Sequence, residues 1–113
     1  MVFLEIRTGS RSRRVHLDEG TWLVGRAHHC DVVLADPSVS RQHFQIRIGP
    51  EGVEVEDLGS RHGLWLDGFR VQVAELPLGR WFLAGKVALQ VHHGTTDDRD
   101  PAAIPPRKAA PEP

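Results

Sequence analysis

The sequence predicts an all-β protein, a sandwich of short antiparallel strands, and three observations carry that prediction. Apolar and polar residues alternate with period two through most of the apolar segments, the signature of a half-buried strand. Turn residues punctuate those segments at short intervals, as they do in a pair of packed antiparallel sheets. No window carries an apolar i, i+3, i+4, i+7 stripe with helix caps.

The elements follow in order. Val2, Leu4 and Ile6 alternate with Phe3, Glu5 and Arg7 to make a first strand. A polar turn over residues 8–12 leads to Val15 and Leu17, and then to the apolar run 22–24. Phe44, Ile46 and Ile48 alternate with Gln45 and Arg47 and stop at Gly49-Pro50, after which Val53 and Val55 alternate with Glu54 and Glu56. Leu64 and Leu66 lead into Asp67-Gly68, a pair that tolerates positive φ at both positions and so marks a tight hairpin. Residues 81–83, then Val87, Leu89 and Val91, close the folded unit. Composition changes after Gly94: residues 95–113 hold five of the eight prolines and one large aliphatic residue, Ile104. Such a segment buries too little apolar surface to offset its ordering entropy. The expected organisation is a folded domain over 1–94 and a Pro/Ala-rich disordered linker or tail over 95–113.

Length and composition narrow the function classes. The 113 residues amount to one domain, and 40% hydrophobic with 26% charged residues is ordinary for a soluble globular protein. The single cysteine, Cys30, precludes an intramolecular disulfide and suits a reducing compartment. Nowhere do 18 apolar residues run together, and the N-terminus enters strand-like alternation without a signal-peptide pattern. A cytoplasmic location is therefore expected, with no membrane partner. The net charge of −1 argues against general nucleic-acid binding. Twelve arginines stand against two lysines, which codon usage explains in bulk. Only arginines at particular positions carry the other meaning, a planar fork suited to phosphate.

No catalytic signature emerges. Ser40, His43 and Asp57 compose a triad on paper, but there is no Gly-x-Ser-x-Gly elbow, and Ser40 follows the turn-forming Asp36-Pro37-Ser38. The reading is that the chain is not an enzyme. His28, His29, Cys30 and Asp31 invite a metal, yet adjacent histidines rarely aim at one ion and no second cluster completes a tetrahedron. An exposed His-His turn followed by a small buried cysteine fits better, and His92-His93 reads the same way. Neither a metal nor another cofactor is expected.

The informative residues lie between strands: Gly25-Arg26, then Ser40-Arg41-Gln42-His43, then Asp57-Leu58-Gly59-Ser60-Arg61-His62-Gly63. Loops on a rigid sheet scaffold commonly house recognition. Arg26, after an apolar strand and a glycine, offers a fork of donors to a phosphate dianion, and Ser40 offers a short hydroxyl donor. Taken together, Gly-Arg, Ser-x-x-His and Asp-Leu-Gly-Ser-x-x-Gly, with Leu78-Gly79 and Leu83-Ala84-Gly85 beyond, resemble the forkhead-associated (FHA) domain family over residues 1–94. The resemblance implies an eleven-stranded antiparallel sandwich of two twisted sheets, with binding loops at one end and both termini at the other. It implies a module that binds Thr-phosphorylated proteins or peptides, monomeric as an isolated domain, in a kinase-linked signalling protein. The alternative within the family is a scaffold that binds an unphosphorylated protein partner.

Carried over by position, Arg26 would fork onto the phosphate and Ser40 would donate its hydroxyl, with Arg41 contacting peptide or phosphate. Ser60, Arg61 and His62, in the third loop, would bind the phosphopeptide as well. His43 resembles the family's structural histidine, and Gly25, Gly59 and Gly63 would permit tight backbone turns. The chain departs from the family where Ser-Thr-Asn-Gly is replaced by Ser60-Arg61-His62-Gly63. Arg61 would supply a charge-assisted contact in place of a hydroxyl, and His62 a ring donor in place of an amide. Residues 1–94 hold eleven basic and eleven acidic residues, so a cationic tip on a neutral body is the expected electrostatic shape.

Overall fold

The computed structural model describes residues 2–93, so the tail expected over 95–113 lies outside the described residues. Eleven strands occupy this span: β1 (Val2–Thr8), β2 (Arg11–Leu17), β3 (Gly20–Gly25), β4 (Val32–Val33), β5 (Phe44–Gly49), β6 (Gly52–Asp57), β7 (Leu64–Leu66), β8 (Phe69–Val71), β9 (Val73–Glu75), β10 (Trp81–Ala84) and β11 (Val87–His93). No helix occurs among the described residues.

The strands form two sheets, ordered β2-β1-β11-β10-β7-β8 and β4-β3-β5-β6-β9. All pairings are antiparallel except β3–β4, where Val24 and Gly25 run parallel to Val32 and Val33. That exception arises because residues 26–31 carry the chain back alongside β3 without reversing its direction. Two short strands, β4 and β9, escaped the sequence reading, since two or three residues cannot display a period of two, and β8 was marked only by its hairpin turn. β2 also begins earlier than expected. Arg11 pairs with Thr8, and Ser12 with Arg7, so the turn is confined to Gly9 and Ser10. β2 is an edge strand, and most of its side chains are exposed, which is why polar residues there concealed a strand.

Alternation decides which side chains meet between the sheets. Leu4 and Ile6 of β1, Phe82 and Ala84 of β10, and Val87, Leu89 and Val91 of β11 pack against Val24, Phe44, Ile46, Val53 and Val55 of the other sheet. Phe44 and Phe82 meet edge-to-face across the interface, ring centroids 5.8 Å apart, an arrangement that contributes about 0.5–1.5 kcal/mol beyond burial. The Asp67-Gly68 hairpin has the geometry its sequence asks for, with φ of 54° and 83°.

The topology sorts the connections. The loops 26–31, 34–43 and 58–63 and the Gly85-Lys86 turn lie at one end. Lys86 donates its backbone N–H to Ser38 Oγ (2.8 Å), and Gly85 N–H reaches Gly63 O. Arg7 pairs with Ala88, just beyond that turn, so the Gly9-Ser10 hairpin belongs to the same end. Val2 pairs with His93 at the other.

Candidate functional site

The three motif loops are joined by a small polar network. Gly25 ends β3, and its neighbour Arg26 donates its backbone N–H to Ser40 O (3.0 Å) while Ala27 N–H reaches Arg41 O (3.1 Å). This zipper brings loops 26–31 and 34–43 side by side. Gly25 itself is not among the positive-φ glycines. Its requirement is space: a Cβ there would collide with Arg41 O and lie 2.9 Å from Arg41 C and 3.0 Å from Gln42 Cα. Gly63 does have positive φ, at 83°, and its Cα faces the Arg70 guanidinium.

His43 is completely buried and spans two loops. Its Nδ1 accepts the Ser40 backbone N–H at 3.0 Å, so Nε2 carries the proton and donates to Gly63 O at 2.8 Å. Burial holds its pKa below the ordinary value of 6.5, and a neutral ring suits both bonds. The hydroxyl of Ser40 is not bonded to this imidazole. It accepts the Arg61 backbone N–H at 3.0 Å instead, which leaves its own proton to donate outward. The paper triad of Ser40, His43 and Asp57 therefore has no base on its serine.

Asp57 organises the third loop. Its buried carboxylate accepts the backbone N–H groups of Gly59 and Ser60, both at 3.1 Å, and the Ser60 hydroxyl. Ser60 Oγ in turn accepts Gly63 N–H at 2.9 Å. Ser60 was expected to contact peptide, but the structure places it in the interior with its hydroxyl donating to Asp57 and accepting from Gly63. It shapes the loop that presents Arg61 and His62. Gly59, with φ of 80°, sits in the same turn.

Of the side chains expected to bind, Arg26, Arg41, Arg61 and His62 are exposed at this end, around the half-buried Ser40. Arg26 Nε donates to Val39 O at 2.9 Å; this fixes the side chain and leaves both terminal nitrogens without a protein partner among the described residues. The guanidinium of Arg61 is likewise uncommitted among them, as is that of Arg41, whose backbone carbonyl accepts from Ala27 and from the buried Cys30 thiol. His62 Nδ1 donates to Ser38 O at 3.0 Å, so its ring is steered by the neighbouring loop and Nε2 is its open position.

Two residues outside the motifs complete the site. Ser38 is a junction. Its hydroxyl donates to Asp36 (2.6 Å) and accepts Lys86 N–H, while its carbonyl takes His62. The hydrogen bond from the Ser38 hydroxyl holds the Asp36 carboxyl below its usual range. Arg70, on β8, donates to Ser60 O at 3.2 Å and covers Gly63. The signal for Ser38 was Asp-Pro-Ser, an Asx-turn pattern; nothing local marks Arg70, which reaches the loop from a strand ten residues on.

Comparison with known proteins gives consistent findings. A family model described as the inner membrane component of T3SS, cytoplasmic domain, itself FHA-like, matches residues 6–95. The FHA domain-containing protein FhaB of Mycobacterium tuberculosis is 35% identical over 79 residues, covering 69% of this chain and 51% of that protein. The chain thus spans about half the length of these curated relatives. Among solved structures, the FHA domain of CT664 from Chlamydia trachomatis superposes with a TM-score of 0.77 and 31% identity, covering 83% of this chain and 98% of that one. A structure from a study of phosphothreonine-dependent FHA domain interactions gives a TM-score of 0.72 at 29% identity, covering 83% and 97%.

Proposed function

The chain belongs to the forkhead-associated domain family, and from that premise we propose that it docks phosphothreonine-bearing proteins, with Arg26 and Ser40 holding the phosphate. One observation carries this reading. At the loop end, an arginine anchored through Nε presents its two free terminal nitrogens near a serine whose hydroxyl oxygen is already held by a backbone N–H. A phosphate dianion needs such a set: a planar cationic fork, and a hydroxyl whose proton is still available. Arg41 and Arg61 add charge at the rim, and His62 adds a ring nitrogen. His43, Gly25, Gly59, Gly63 and Ser60 keep the loops in register.

The module acts by binding. Both nitrogens of His43 are bonded to backbone groups, which removes this histidine as a general base for Ser40 and supports a non-enzymatic role. A cationic tip on a neutral body suits a point-like phosphate more than a nucleic-acid backbone or a lipid surface. The isolated domain works as a monomer in the cytoplasm, where Ser/Thr kinases supply its ligands.

A specific feature favours a second reading, docking of an unphosphorylated protein on the outer face of the six-stranded sheet. Trp81 and Leu83 are 37% and 42% exposed there, and Leu83 pairs with Trp65. Calorimetric titration with one peptide in phosphothreonine and plain threonine forms separates the readings. Phosphate-dependent binding that Arg26→Ala removes supports the first; equal affinity for both forms sinks it.

A further inference from the structure

Two cavities at the loop end share a wall. The first, about 730 Å³, is lined by Arg26, His28, His29, Arg41, Val33 and the stretch from Ala35 to Pro37. The second, about 650 Å³, lies between the sheet edges, with Ile6, Val33 and Leu34 as its apolar floor and Arg11, Ser12 and Arg13 along its side. Val33 and Ala35 line both. The two cavities therefore adjoin along β4, and the trough they make up together reaches from Arg26 to the β1–β2 hairpin.

The trough has a charged far end. β4 is an edge strand of one sheet and β2 of the other, and Arg13 bridges them by donating Nη2 to Val33 O. Arg11 is exposed, and its guanidinium has no partner among the described residues. The only acidic group lining either cavity is Asp36, whose Oδ1 is occupied by the Ser38 backbone N–H (2.8 Å) and hydroxyl. One end of the trough would hold phosphate, and the other presents free positive charge over an apolar floor.

We propose that this trough is a second specificity element of the same site, in which Arg11, with Arg13, reads acidic side chains lying several residues from the phosphothreonine. The inference rests on the phosphothreonine reading above. An extended peptide advances about 3.3 Å per residue, so the acid is a neighbour in sequence but not an adjacent one. The apolar floor of Ile6 and Val33 accepts the stem of the intervening residues, and the arginines select for glutamate or aspartate beyond them.

The test uses three twelve-residue peptides with a central phosphothreonine. One is flanked by glutamines, one carries three glutamates on the N-terminal side, and one carries them on the C-terminal side. Fluorescence anisotropy should show one of the two acidic peptides binding several-fold tighter than the glutamine-flanked one. Arg11→Gln should cut that gain by about two- to fivefold, the scale of an exposed charge pair, and leave the glutamine-flanked peptide unchanged. Arg80→Gln, which removes a cation paired with Asp67 at the opposite end, should preserve the gain. Loss of the gain in both variants would mean general attraction, and no gain for either acidic peptide would mean no such subsite; each overturns the proposal. If the glutamine-flanked phosphopeptide binds no better than its plain threonine form, the docking reading itself fails and takes the proposal with it.

Discussion

Short hairpins close one end of the sandwich: residues 50–51 join β5 to β6, and Asp67-Gly68 joins β7 to β8. At the other end, residues 26–31, 34–43 and 58–63 wander between strands and are held by side chains: the His43 imidazole, the Asp57 carboxylate, and the Ser38 and Ser60 hydroxyls. A hairpin needs only backbone bonds and a residue content with positive φ. Longer loops leave backbone N–H and C=O groups that the ladders do not satisfy, and buried polar side chains must take them. The lesson is that the rigidity needed to aim Arg26 and Ser40 comes from a polar core, which tolerates substitution less well than a hairpin does.

The difference is sharpest at glycine. Gly25→Ala should cost about 3 kcal/mol or more, because the added methyl meets backbone atoms of Arg41 and Gln42 that cannot step aside. Differential scanning calorimetry should show Tm falling by more than about 10 °C. A near-normal Tm would mean the two loops can separate freely.

His43→Ala should come next, at about 2–3 kcal/mol, since it strands a backbone donor on Ser40 and an acceptor on Gly63. The wild type carries a matching pH dependence. The folded pKa of His43 is depressed by burial, so the unfolded chain takes up its proton first as pH falls. Stability from this group is complete above pH 6.5, its ordinary value, and is lost as pH drops from there through the folded value. Urea titrations at a series of pH values should show a shallower decline in the variant below pH 6.5; identical slopes would remove His43 as the acid-labile brace.

Arg26→Ala separates aim from rigidity. It should weaken a phosphothreonine peptide more than tenfold, on the scale of a charged hydrogen bond at about 1.5–3 kcal/mol, with Tm unchanged. Ser40→Ala should lose somewhat less, because no charge goes with it. A fall in Tm matching the fall in affinity would merge the two roles.

The smallest effect is expected at the hairpin end. A Cβ on Gly68 meets nothing within 4 Å, and only its φ of 83° resists substitution. Gly68→Ala should cost about 1 kcal/mol and leave phosphopeptide affinity intact; altered affinity would show that the two ends communicate.

Most of this architecture could be read from residue order, for reasons that differ along the chain. Strands β1, β5, β6 and β11 are long, with one buried face, so Leu4, Ile46, Val55 and Leu89 announce themselves by alternation. β4, β8 and β9 are too short for that. The Gly25-Arg26 and Ser40-x-x-His43 spacing brought the exposed site groups to attention. Sequence alone did not tell Ser60 from Arg61, because hydroxyl and guanidinium both suit phosphate, and only the position of Asp57 decides which of them turns inward. Arg70 was invisible for the opposite reason: its target, Ser60 O, is a backbone atom with no identity in the sequence.

The pairing of Val2 with His93 has a mechanical consequence. β1 and β11 are antiparallel neighbours, and their outer ends meet at the edge remote from the binding loops. A pull applied between those two residues loads the ladder at its first rung and opens it bond by bond, like a zipper, rather than shearing every rung at once. Low forces should therefore peel the module from its tether side, with the loop end the last to lose its shape. Tension applied at Val2 and His93 would reach the loop end late and gradually.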